Sequence, residues 1–76
     1  KKQSEQTRLY NKYPYILAWG KMMGSFDYYI IEQCRRAEQD NAGENATYYN
    51  DTRQQWVRLA DVHPDTQKTL NAYKPV

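Results

Sequence analysis

The stretch PYILAWGKMMGSFDYYIIEQCRRAEQD, residues 14–40, decides how the chain is read. Pro14 sits where a helix tolerates proline best, in its first turn, and no other proline follows until Pro64. Gly43 offers a stop after Asp40, Asn41 and Ala42. Between these marks Ile16, Trp19, Met22, Met23, Phe26, Tyr29, Ile30, Cys34 and Ala37 recur at three- and four-residue steps. That period places them on one broad stripe, so the pattern predicts a single central helix over residues 14–41 with this stripe on a core. At about 1.5 Å per residue, such a helix would be ~40 Å long.

A second, narrower apolar strip, Leu17, Gly20, Gly24, Tyr28 and Ile31, runs along the reverse side. Its two glycines admit two readings. They can break the helix, with Ser25 capping a second segment from Phe26, or they can form a shallow groove for a closely approaching helix. Because both glycines fall on one face, the groove is the preferred expectation. A helix of that kind is buried from two sides, and one side is available to a partner.

Working outward, Ser4 caps a short first helix whose apolar contacts are Leu9, Tyr10 and Tyr13. Residues 1–13 then form a basic arm or short helix ordered by docking. The polar link from Asp40 to Asn45 demands a turn. Beyond it, Tyr49, Trp56, Val57 and Ala60 suggest a helix over 46–61, with Arg53 in the stripe against Trp56 or Tyr49, paired with Asp27, or carrying its head past the aromatic edge to solvent. His63 precedes Pro64 and is expected to cap a last helix, 64–73, anchored by Leu70 and Tyr73. The expected fold is all-α: one domain, 1–76, with three to four helices bundled around the long central one.

Seventy-six residues lie near the lower limit for a self-sufficient core. With Cys34 the single cysteine and His63 the single histidine, an internal disulfide is excluded and a structural zinc site is unsupported. Eight tyrosines and two tryptophans point instead to an aromatic core or interface. No apolar run approaches the ~20 residues of a membrane span, and no signal-peptide core follows the leading lysines. A lone cysteine makes a reducing, cytoplasmic setting the default. The chain starts at Lys1 rather than methionine, as a trimmed segment would.

Little in the chain looks like chemistry. Asp61, His63 and Asp65 alternate as a metal site might require, but carboxylates beside a helix N-terminus already have a structural reason. Cys34 with His63 is the sole thiol–base combination, and Cys34 lies on the edge of the apolar stripe. The expectation is therefore no catalytic residue, no metal and no cofactor.

The leading functional expectation is a non-enzymatic protein-interaction module, of adaptor, regulator or inhibitor type, with a Tyr- and Trp-rich surface. Its contact residues would be Tyr10, Tyr13, Leu17, Gly20, Gly24, Tyr28, Ile31, Tyr48 and Arg53, with Tyr28 and Tyr48 as outward rings. A homodimer across the Gly20/Gly24 groove would enlarge the small core. The alternative is a nucleic-acid-binding accessory protein. The net charge is only +2, and the positive balance sits in the arm, where Lys1, Lys2, Arg8 and Lys12 face Glu5 alone. Those residues with Arg35 and Arg36 would contact phosphates.

Overall fold

The computed structural model describes residues 4–74. Along the chain run helices α1 (Glu5–Lys12), α2 (Pro14–Met22) and α3 (Asp27–Gln39), strands β1 (Ala46–Asn50) and β2 (Gln55–Arg58), a 3-10 turn (Leu59–Asp61) and helix α4 (Pro64–Tyr73). Two sequence expectations fall. The fold is not an all-α bundle, because an antiparallel hairpin stands where the 46–61 helix was expected. The long central helix is in fact two helices.

Local chemistry explains the break. Gly24 takes φ +73°, the left-handed region that glycine enters without strain. Around it Ser25 N–H donates to Gly20 O at 2.8 Å and Gly24 N–H to Lys21 O at 3.1 Å. This pair of bonds is a Schellman stop, which satisfies the last carbonyls of α2 and ends it. α3 closes in the same way, with Asn41 at φ 54° in the glycine's role and Ala42 N–H on Ala37 O at 2.9 Å. Gly20 serves a different purpose. A Cβ there would lie 2.6 Å from Ile30 Cδ1, so the missing side chain is the space into which α3 packs. The groove expected across Gly20 and Gly24 is thus an internal contact at one glycine and a turn at the other.

The hairpin also follows from residue chemistry. Thr47, Tyr48, Tyr49, Trp56 and Val57 are β-branched or aromatic, and Asn50-Asp51-Thr52 supplies turn formers. Asn50 Oδ1 accepts from Arg53 N–H at 3.2 Å, and Gln54 at φ 53° completes the reversal. Tyr49 pairs with Trp56 and Tyr48 with Val57, while a bulge between Ala46 and Tyr48 leaves Thr47 as the extra residue. The seven-residue step from Tyr49 to Trp56, taken in sequence as two helical turns, is a cross-strand pair.

One core holds these elements together. Leu9 and Tyr13 bring α1 and its junction, Ile16 and Leu17 bring α2, and Ile30, Cys34 and Ala37 bring α3. Ala42 and Ala46 close it from the link and the first strand. Tyr13 cannot continue α1 because Pro14 follows it, and this bend swings α2 back across α3. α4 packs on α2, where its buried Leu70 is joined by a 3.1 Å bond from Tyr15 Oη–H to Asn71 Oδ1.

Candidate functional site

The break between α2 and α3 resets the helical phase, so part of the expected core stripe never reaches the core. Met23 (61% exposed), Phe26 (72%), Tyr28 (70%) and Tyr29 (53%) stand in solvent around the turn. Phe26 and Tyr28 stack on each other, with centroids 5.8 Å apart and planes 13° from parallel. An exposed aromatic group this dense is unusual in a small domain, where large apolar side chains are ordinarily scattered singly.

Behind this patch lies a cleft of about 240 Å³ between α2, α3 and β1. Its base is formed by Ile16, Gly20 and Ile30, and Met23, Ser25 and Tyr29 line it from the break and the start of α3. One wall is a stacked pair, Trp19 on Tyr48, with centroids 4.5 Å apart and an interplanar angle of 19°. Another is Tyr49, whose ring carries the Arg36 guanidinium 3.6 Å from its centroid and meets Trp56 edge-on at 5.5 Å. No charged residue lines the cleft among those described. Gln33 does, and its Oε1 is closed to solvent without a hydrogen-bond donor. A buried acceptor left unpaired costs about 1–3 kcal/mol, so a donor brought to Gln33 from the cleft would relieve it.

Tyr49 owes its position to contacts around Asp40. Trp56 Nε1–H donates to Asp40 Oδ2 at 3.0 Å, and Arg36 Nε approaches the same carboxylate oxygen at 3.7 Å. Those contacts fix the hairpin to the end of α3 and hold Tyr49 between Arg36 and Trp56. The bulge at Thr47 turns Tyr48 onto Trp19 instead.

The residues expected to contact a partner do not form one surface. Tyr13 and Leu17 are buried in the core, and Ile31 packs against it half-buried. Tyr10 is also half-buried; Gln6 Nε2–H donates to its Oη at 3.2 Å, and that Oη–H donates to Asp27 Oδ1 at 3.4 Å. Burial is the main reason the Tyr10 phenol is shifted upward. Gly20 lies beneath Ile30, and Gly24 is a turn with open space around it. Tyr48 is half-buried in the cleft wall and not an outward ring. Arg53 is exposed at the hairpin loop, beside a separate groove that Trp56 and Asp61 share, and Arg36 takes the position on Tyr49 expected of it. Of these residues, only Tyr28 belongs to the exposed patch. Sequence reading placed Met23, Phe26 and Tyr29 in the core, and the glycine–serine pair was the signal that could have moved them.

The basic residues are engaged. Arg8 Nη1 and Lys12 Nζ both reach Glu38, at 2.6 and 3.0 Å, which pulls its carboxyl down to about 2, chiefly through the Arg8 hydrogen bond. Arg35 is bonded to Glu5 and, at 2.6 Å, to Glu32. Arg36 is held by Tyr49 and Asp40. The expected phosphate-contacting set is therefore neutralised within the fold, apart from Lys1 and Lys2, which lie outside the described residues.

The remaining reactive groups have structural roles. Burial pushes the Cys34 thiol up to about 12, so it stays protonated at neutral pH. His63 caps α4, its Nδ1 accepting from Asp65 N–H at 3.4 Å. Among the described residues, no group of three or more His, Cys, Asp or Glu side chains is placed to hold a metal, and no helix is long and apolar enough to cross a membrane. Comparison with protein-family models, with curated proteins and with solved structures finds no match to this chain.

Proposed function

We propose that this chain is a small protein-interaction module whose contact surface is the aromatic patch at the α2–α3 break. The observation that carries the reading is the stacked, solvent-facing pair Phe26 and Tyr28, flanked by Met23 and Tyr29. A turn of one residue's strain-free left-handed geometry holds four large side chains mostly in water, where each forgoes part of the about 1.5–3 kcal/mol that full burial of such a side chain is worth. A partner that covers them recovers that free energy, and ring pairs stacked in advance lose little further freedom on binding. The ion pairs on Arg8, Lys12 and Arg35 draw support away from a nucleic-acid reading, since binding phosphates would first require breaking them.

The test is a two-site variant, Phe26→Ser with Tyr28→Ser. Both rings are more than two-thirds exposed, so circular dichroism and the melting temperature should stay near wild type. Affinity capture with the wild-type chain should retain a protein that the variant loses. Identical capture by both would sink the reading, as would oligonucleotide affinity that weakens steeply with added salt.

A further inference from the structure

We infer that the cleft between α2, α3 and β1 is a pocket for one neutral aromatic side chain bearing a single N–H donor, the indole of a partner protein's tryptophan. The inference rests on the protein-interaction reading and names the chemistry that the partner inserts.

Three observations select this occupant. The first is size: at about 240 Å³ the cleft lies below the ~300 Å³ at which pockets for cofactors and drug-sized ligands begin, and it matches one large side chain. The second is charge. No carboxylate or cation lines the walls, so an anion finds no counter-charge; an added cation would meet the Arg36 guanidinium already seated on Tyr49. The guest is neutral. The third is Gln33, whose Oε1 is buried and lacks a donor although its side chain lines the cleft. The terminal torsion of a glutamine is broad, so a small rotation turns that oxygen to a guest. Apolar and aromatic walls with one unmet acceptor call for a flat apolar ring that donates without bringing an acceptor of its own, which among side chains is indole, since the phenol of tyrosine both donates and accepts. The exposed Met23 and Tyr29 belong to both the patch and the cleft, so a partner covering Phe26 and Tyr28 is positioned to send a side chain inward.

The experiment is an NMR titration of the full chain with N-acetyltryptophanamide, its 1-methylindole analogue and N-acetylphenylalaninamide. Saturable shifts of the Gln33 side-chain amide and the Trp19 indole signal are expected with the first. The 1-methyl analogue, which keeps the ring and loses the donor, should bind about fivefold more weakly, as should the phenyl compound, in line with one neutral hydrogen bond. Gln33→Leu should raise the melting temperature by removing the orphan acceptor and should abolish the discrimination between the two indoles. Equal response to all three compounds in the wild-type chain would overturn the inference, and that comparison needs no variant. So would the absence of saturable shifts at the cleft, or shifts confined to Phe26 and Tyr28. Those failures leave the interaction reading standing, because the Phe26 and Tyr28 variants that decide it do not line the cleft.

Discussion

At Gly20 a methyl group would meet Ile30 Cδ1 at 2.6 Å, inside a contact buried on both sides. Alanine there gains helix propensity of about 1 kcal/mol and meets overpacking of about 1–3 kcal/mol. The clash should win: Gly20→Ala is expected to lower stability in urea unfolding, and an unchanged or raised midpoint would refute the close approach. Gly24 reverses the argument. A Cβ there meets nothing within 4 Å, but φ +73° strains any branched α-carbon by about 1–2 kcal/mol. Gly24→Ala should therefore cost about 1 kcal/mol and Gly24→Asn less, since Asn41 already fills the equivalent position at the end of α3. Equal losses for the two substitutions would show that the turn is not what fixes this residue.

The hairpin is the element least able to stand alone, because two strands are marginal in water without something to pack on. Its attachments are specific: Tyr48 stacks on Trp19, Trp56 bonds to Asp40, and Arg36 covers Tyr49. Replacing Asp40 with alanine removes the indole's acceptor and releases Arg36 together. With both partners partly exposed, the loss should be about 1 kcal/mol. It should also be local, so amide exchange of Tyr48–Val57 should accelerate more than that of α2. Uniform acceleration across the chain would contradict this. The same element marks the limit of what the sequence revealed. Pro14, Pro64 and the caps at Ser4 and His63 act on their immediate neighbours, so those helix starts were readable. Whether Tyr49 and Trp56 lie two turns apart or across a ladder depends on the chain reversing at Asn50–Gln54, and spacing alone serves both. The candidate site shared that fate. Its aromatic residues were visible, but which of them face water depends on the phase lost at Gly24.

Across the whole molecule, a radius of gyration of 11.7 Å, close to the about 11 Å expected of a compact chain this long, is reached without a disulfide. α1 is held to α3 by Leu9 in the core and by ion pairs at its surface: Arg8 and Lys12 on Glu38, and Glu5 on Arg35. Glu38 is the member whose protonation can be read. Its carboxyl is held at about 2, below the ordinary 4.5, mainly by the Arg8 hydrogen bond and next by that of Lys12. A group with a depressed folded pKa binds its proton more readily in the unfolded chain. Its stabilisation is therefore complete above about pH 4.5 and drains away as the pH falls towards 2. The site is solvated, so the effect is modest and weakened by salt. Glu38→Gln should melt below wild type at neutral pH, and the two melting curves should converge between pH 5 and pH 2 as the wild-type carboxyl titrates. Added sodium chloride at pH 7 should narrow the same gap. A difference that persists unchanged to pH 2 would mean that Glu38 acts through packing, and that α1 is held by Leu9 and its apolar neighbours alone.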